Sequence, residues 1–316
     1  MKVLVTGGAG YIGSVTTALL LEAGHEVIVV DNLSQGNRDA VPEGARFIQA
    51  DILQLGDVLT KDDHIDAVFH FAALMAVGES MAHPDRYWHN NVVGSLALLE
   101  FMRGAGVGKL VFSSTAATYG EPEKVPIVET SPTRPISTYG MTKLAIDMAI
   151  TSYARAYSIA AVSFRYFNVA GAYKRYGERH PQESHIIPLI FRAIERDEPF
   201  SVFGGDYPTP DGTCIRDYIH VLDLVGAHLL AVEHMVPGKH EIYNLGNGNG
   251  FSNKQVIAAV EQVTGRQVRI TIAERRPGDT ARLIASSEKA QVELGWEAKK
   301  PELVDMVSDA WKYHQD

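Results

Sequence analysis

Six short apolar runs punctuate the first half of the chain, and the longer segments between several of them carry apolar positions at helical spacing. The runs are KVLVT (2–6), EVIVV (26–30), RFIQA (46–50), AVFHF (67–71), KLVFS (109–113) and AAVSF (160–164). They are rich in Val, Ile and Phe and nearly unbroken by polar residues, as strands are when helices cover both faces of their sheet. Helical patterns fall near residues 12–23, 86–103 and 139–157. Strands alternating with helices predict βαβ units, so the fold class is α/β, a Rossmann-like doubly wound parallel sheet.

After about residue 168 the pattern changes: apolar runs thin out and Gly/Pro-rich segments such as FGGDYPTPDGT (203–213) appear. Residues 1–168 are therefore expected to form a nucleotide-binding domain, and 169–316 a smaller α+β substrate-binding region. Within 217–247, the stretch DYIHVLDLVGAHLLAVEHM (217–235) is apolar enough to pack back on the first domain.

Composition narrows the class of partner. The net charge is −9, with Lys+Arg 29 against Asp+Glu 38, which argues against a nucleic-acid ligand. A small anionic ligand stays open, because a few local arginines suffice for a phosphate. Cys214 is the only cysteine, so an intrachain disulfide and a Cys-rich metal site are both excluded. The 12 histidines form no His-Glu-x-x-His motif or close His/Asp cluster, and no metal site is expected. No apolar run reaches the ~20 residues that span a bilayer. The N-terminus runs straight into KVLVTGGAGYIG with no signal peptide ahead of it. A cytoplasmic location away from membranes is the expectation.

Candidate chemistry lies at the strand ends. VTGGAGYIG leaves the first strand and opens the first helix, with glycines at 7, 10 and 13. Such glycines permit a tight turn and let backbone N–H groups and the helix dipole approach a diphosphate. Asp31 ends the second strand 18 residues past Gly13, near the spacing of an acid that accepts from an adenosine ribose. A carboxylate there also repels a 2′-phosphate, favouring NAD over NADP. Asp51 follows the third strand and either faces the adenine or caps a helix. Ser113, Ser114 and Thr115 end the fifth strand, a placement that by itself reads first as capping. Tyr139 precedes Lys143 by one helical turn, so both share a face. With 13 Tyr and 12 Lys in 316 residues, about half a Tyr-x-x-x-Lys match arises by chance. Chemically the pair is apt, because an ammonium beside a phenol favours the phenolate, a base for a substrate alcohol.

Together the glycine pattern, the Ser-Ser-Thr strand end and Tyr-x-x-x-Lys resemble the extended short-chain dehydrogenases/reductases that act on nucleotide sugars, and within them the 4-epimerase branch. GGAGYIGS, DNLS, HFAALMAVGES, NNVVGS, SSTAATYG, STYGMTK, RYFNVAGA, FGGDYPTPDGTCIRDYIHVLDL, YNLGNG and RRPGDTA carry the likeness over essentially the whole chain. The resemblance implies bound NAD as a cycling cofactor and 4-epimerisation of a UDP-hexose, UDP-galactose to UDP-glucose, through a transient 4-keto sugar. Tyr139 would be base and then acid, Lys143 would lower its pKa, and Thr115 would bond the reacting hydroxyl. Gly7, Gly10, Tyr11, Ile12, Gly13, Asp31, Asn32, Asp51, Ile52, Phe71, Ala72, Ala73, Asn91, Ser113 and Tyr166, with Tyr139 and Lys143, would line NAD. Asn168, Phe203, Arg216, Arg276 and Asp279 would hold the UDP-sugar, the arginines suiting a diphosphate through bidentate contacts. A homodimer through helices near 86–103 and 139–157 is also implied.

Some positions depart from the pattern. Thr115 stands where serine is common and keeps the hydroxyl. Met75 replaces a lysine that in some relatives touches the cofactor, and Val15 a frequent histidine. Leu283 stands at the position that gates the sugar pocket, so acceptance of N-acetylated sugars such as UDP-GlcNAc is open, as is that of UDP-glucuronate or UDP-pentoses. Nucleotide-sugar 4,6-dehydratases carry Thr-Asp-Glu at the strand end, whereas Ala116 and Ala117 follow Thr115 here, which disfavours dehydration. A non-catalytic NAD-sensing protein would be expected to lose the Tyr or Lys that this chain keeps.

Overall fold

The computed structural model describes residues 1–180, 183–276 and 279–315. Contacts divide the chain into two units: residues 1–120, 132–165 and 225–243 form the first, and 121–131, 166–224 and 244–316 the second. The chain thus leaves the first unit at residue 121, returns at 132, and contributes 225–243 from its distant C-terminal half.

The first unit is built on a seven-stranded sheet. Its strands are β1 (Lys2–Thr6), β2 (Glu26–Asp31), β3 (Arg46–Gln49), β4 (Ala67–His70), β5 (Lys109–Ser113), β6 (Ala160–Tyr166) and, arriving late in the chain, His240–Leu245. The spatial order is the late strand, then β6, β5, β4, β1, β2 and β3. Every pairing among β1 to β6 is parallel, with Val3 to Thr6 of β1 matched to Val27 to Val30 of β2 on one side. Order reverses between β1 and β4, the place where doubly wound sheets take their ligands. All seven residues of β6 and all four of β4 are buried, which explains their mostly apolar character, with Ser163, Arg165 and His70 as buried polar exceptions. One core layer packs Leu4, Ile28, Val68, Leu110 and Ala161 of the sheet against Leu98, Leu99 and Met102 and against Ile146 and Ile150 of the flanking helices.

The three helical expectations are met at Tyr11–Glu22, at Thr138–Tyr157, and as a broken helix from Pro84 to Ala105. That last element passes through a π-helical stretch, Trp88–Val93, before resuming as Gly94–Ala105. The stretch contains Asn91, whose buried amide binds Leu74 through both its oxygen and its nitrogen.

Within the second unit the strands are short: β7 (Asn168–Ala170), β8 (Phe200–Phe203), β9 (Ile215–Arg216), β10 (Tyr218–His220) and three later pieces, Phe251–Ser252, Ile270–Ala273 and Arg282–Leu283. Its own core joins Ile187, Ile190 and Phe191 to Val256, Val260, Met306 and Val307. Asp217 is fully buried and accepts from the backbone N–H groups of Asn247, Gly248 and Ala285, tying three segments together.

Candidate active site

The turn after β1 has the shape its glycines predict. Gly7 adopts φ +75°, and a Cβ there would lie 2.5 Å from the backbone nitrogen of Ala72, so only glycine fits. At Gly13 a Cβ would run into the Gly7 carbonyl oxygen. Gly10 is the N-cap of Tyr11–Glu22 and offers no capping side chain, and no acid occupies the first turn. No capping side chain and no first-turn acid therefore competes for this helix N-terminus, which is the arrangement an oxyanion of a diphosphate suits. Tyr11 is buried and Ile12 half-buried behind them.

Asp31 lies beside this turn at the end of β2. Its Oδ2 accepts from Ala9 N at 3.0 Å and its Oδ1 from Leu33 N at 2.8 Å. Burial pushes its carboxyl up, and the two backbone hydrogen bonds oppose that. Asp51 takes up the capping alternative, accepting from Leu53 N at 3.0 Å at the start of the short turn that Ile52 opens. Its other oxygen accepts from the Asn32 side chain at 2.8 Å, which joins the ends of β2 and β3. Phe71, Ala72 and Ala73 follow β4, and Ala72 is the residue against which Gly7 packs. Asn91 spends its amide on Leu74 and on Thr142 Oγ1, so it shapes that loop from behind. Tyr166 closes β6 and is buried. The residues present fit a dinucleotide.

Tyr139 is brought to Thr115 by a close approach of backbones. Ser137 caps the helix, its Oγ accepting from Gly140 N at 3.1 Å. A Cβ on Gly140 would lie 2.5 Å from the Ala117 carbonyl oxygen, so glycine lets the first helical turn sit against the turn that follows β5. The Thr115 side chain lies near enough to the Tyr139 phenol to pull its pKa down. Ser80 Oγ accepts from Tyr139 N at 3.1 Å and donates to Val77 O at 2.6 Å, holding the helix start from the other side.

One turn on, Lys143 is almost fully buried and donates through Nζ to the Ser113 carbonyl at 2.8 Å. Nζ lies 4.8 Å from the Phe112 ring centre and 5.9 Å from that of Tyr139. Burial pushes the lysine down to about 7, with the Asp147 carboxylate opposing the shift. Asp147 is one further turn along and anchors to Arg165 (2.9 Å) and Ser114 (3.1 Å). Burial pushes Tyr139 up to about 12, and the Thr115 side chain pulls it back. In this dry setting, without cofactor, loss of hydration is the largest influence on the phenol.

The second unit carries a cavity of about 460 Å³, lined among others by Asn168, Phe203, Arg216, Arg276 and Asp279. Of the seven expected substrate contacts, the five named for the UDP-sugar thus share one cavity, while Thr115 and Tyr139 belong to the first unit. The Arg276 guanidinium lies 3.8 Å over the Phe203 ring, and Arg216 reaches Asp279 at 3.3 Å. Arg216 also donates to Thr280 O at 2.8 Å, which fixes its fork toward the 279–280 backbone. Asn168 donates to Asp217 O at 2.8 Å. Arg192 and Arg196 add cationic lining from the helix Ile186–Glu195.

Two features escape the sequence reading. Ser80 and Asp147 support Tyr139 and Lys143, and only Asp147 leaves a trace, its position one turn past Lys143. The structure also gathers Glu178, His180 and His185, although no metal cluster is expected from the chain. The signal, Glu-x-His-x-x-Glu-x-His over 178–185, is missed by a search for His/Asp pairs. Other histidines follow the bland reading: His70 is buried, bonds Thr6 and Ser95, and is held down to about 3 by burial.

Comparison with known proteins agrees with this geometry. The model of the NAD dependent epimerase/dehydratase family matches residues 3–246. A UDP-glucose 4-epimerase of Corynebacterium glutamicum is 55% identical over 315 residues, covering 99% of this chain and 95% of that protein. One from Streptomyces lividans is 54% identical over 317 residues, covering 99% and 96%. The crystal structure of the UDP-glucose 4-epimerase from Bifidobacterium longum in complex with NAD+ and UDP superposes with a TM-score of 0.92 at 35% identity, covering 100% of this chain and 98% of that one.

Proposed function

Because the chain belongs to the NAD dependent epimerase/dehydratase family, we infer that it interconverts UDP-galactose and UDP-glucose with NAD as a cycling cofactor. It is an isomerase, and the reaction has no net redox change. The observation that carries the reading is the Tyr139 phenol beside the Thr115 side chain, with Lys143 one helical turn away.

In our reading Thr115 bonds the sugar 4-hydroxyl and Tyr139 takes its proton, leaving a 4-keto sugar. NAD, when bound, supplies the acceptor and later the donor of the C4 hydrogen, and a positive charge that favours the Tyr139 phenolate. Tyr139 returns its proton once the sugar has turned about its link to the diphosphate and presents the opposite face. The proton never leaves the Tyr139–substrate pair, so each turnover restores the protein. Lys143 donates to Ser113 O and stays beside the phenol. Asn168, Phe203, Arg216, Arg276 and Asp279 hold the UDP moiety. Gly7, Gly10 to Gly13, Asp31, Asn32, Asp51 and Ile52 serve the dinucleotide, with Phe71 to Ala73, Asn91, Ser113 and Tyr166. Residues 1–168 are read as the NAD-binding part and 169–316 as the UDP-sugar part, with the cavity in the second unit in support.

No helix among the described residues is long and apolar enough to cross a membrane. We assign the protein to the cytoplasm and to a homodimer. Exposed Trp88, Val93, Met148 and Tyr157 on the two helical segments named for pairing support the dimer.

The test adds UDP-galactose to purified protein without added NAD and follows UDP-glucose with a coupled dehydrogenase. Turnover is expected. No turnover, alongside clear turnover of UDP-glucuronate or a UDP-pentose, overturns the substrate assignment.

A further inference from the structure

Outside the residues assigned above, one cluster of titratable side chains has the composition of a metal centre. Glu178, His180 and His185 each offer one ligand atom, and these atoms lie within 4.8 Å of one another. Glu178 Oε1 is 2.8 Å from His185 Nδ1 and 3.4 Å from His180 Nε2. Bonds of about 2.0–2.1 Å to a tetrahedral ion place neighbouring ligand atoms about 3.3 Å apart, so a small spreading of this group makes room for one. The His-x4-His spacing of 180 and 185 falls within the range common to zinc ligands.

A further carboxylate stands beside His185, outside the group of three. Glu183 Oε1 is 2.9 Å from His185 Nδ1 and accepts from the backbone N–H groups of Ser184 and His185 at 2.8 Å. Its second oxygen, Oε2, is buried without a hydrogen-bond partner among the described residues, and the side chain is 1% exposed. A carboxylate oxygen buried without a partner is costly, and a cation removes that cost. Two imidazoles and two carboxylates carry a charge of −2 when neutral histidines ligate, which a divalent ion balances. The imidazoles select a transition ion of the zinc type over magnesium or calcium, which prefer all-oxygen sites.

We propose that Glu178, His180, Glu183 and His185 form a four-ligand structural site for one zinc-class divalent cation. The ion would tie residues 178–180 to 183–185, just ahead of the Ile186–Glu195 helix. Glu178 and His185 also line the arginine-rich cavity, so the same ion would stiffen one wall of it. The competing occupant is a proton, with His185 as an imidazolium between two carboxylates.

The experiment uses the full chain without a histidine tag, grown in zinc-supplemented medium and passed through gel filtration. Elemental analysis is expected to find close to one zinc per chain. Cobalt(II) exchanged into the site is expected to give the intense visible bands of a tetrahedral complex. His180→Ala and Glu183→Gln, two independent changes, should each weaken zinc about tenfold or more, with unchanged circular dichroism and bound NAD as the folding check. Wild-type protein that retains no zinc and gives only the weak spectrum of hydrated cobalt overturns the site in favour of the proton. Equal zinc affinity in wild type and both folded variants also overturns it, showing surface binding only.

Discussion

At the scale of single residues, the site places a phenol and an ammonium where burial works against both charges. Tyr139 at about 12 and Lys143 at about 7 are each displaced toward the neutral form. In the proposed mechanism the tyrosine is the proton carrier, so its oxygen is decisive. Tyr139→Phe keeps the packing and deletes that oxygen. It should lower kcat by about 10²–10⁴-fold with little change in bound NAD, read in the coupled assay. Near-full activity in the variant removes Tyr139 from the mechanism.

Lys143 also makes a stability prediction with a definite sign. Its folded value near 7 lies below its ordinary 10.5, so in that window the unfolded chain holds a proton the folded protein lacks. Stability therefore rises with pH from about 7 to about 10, and below 7 the full penalty of a buried ammonium applies. In cofactor-free protein, wild type should gain on Lys143→Met between about pH 6.5 and about pH 9.5 in urea unfolding. A difference that stays constant across that range contradicts the buried ammonium.

Among the elements, glycines decide where helices stop short of their neighbours. Gly140 is in a helix, where alanine would be intrinsically favoured by about 1 kcal/mol. Here the Ala117 carbonyl forbids a side chain, and the contact sets the Tyr139–Thr115 geometry. Gly140→Ala should lower kcat by about 10²-fold while leaving bound NAD in place, because displacement of about 1 Å is enough to misalign a proton transfer. Steady-state kinetics beside cofactor absorbance checks both halves. The strands of the first unit were legible because buried parallel strands leave long apolar runs. Their ends move by only a residue or two: the run 46–50 stops at Gln49, and 160–164 extends to Tyr166. The π-helical stretch at Trp88–Val93 was not legible, since it arises where Asn91 binds Leu74, a partner 17 residues away.

For the molecule as a whole, the five residues read as holding the UDP moiety lie in the second unit, whereas the glycine turn and Asp31 lie in the first, so the energetics of the two should separate. Arg276→Ala removes the guanidinium that stacks on Phe203 and lines the second unit's cavity. It should weaken UDP binding by about 10–100-fold, the range of a lost charge-assisted contact, with NAD content unchanged. Calorimetry with UDP measures the first and cofactor absorbance the second. Loss of NAD in this variant argues against separate grips.

The sequence by itself determined the α/β class, the diphosphate turn, the acid at the end of β2 and the Tyr-x-x-x-Lys pair. These depend on local rules: strand burial, the backbone freedom of glycine and the pitch of a helix. The clustering of Asn168, Phe203, Arg216, Arg276 and Asp279 in one cavity was reached from sequence only through family likeness, since they lie more than 100 residues apart end to end. Tertiary structure alone decided two further matters: that burial is the largest influence on the Tyr139 phenol, and that Glu178, His180 and His185 converge. The first depends on which distant groups exclude water from a side chain and the second on side-chain directions, and local spacing encodes neither.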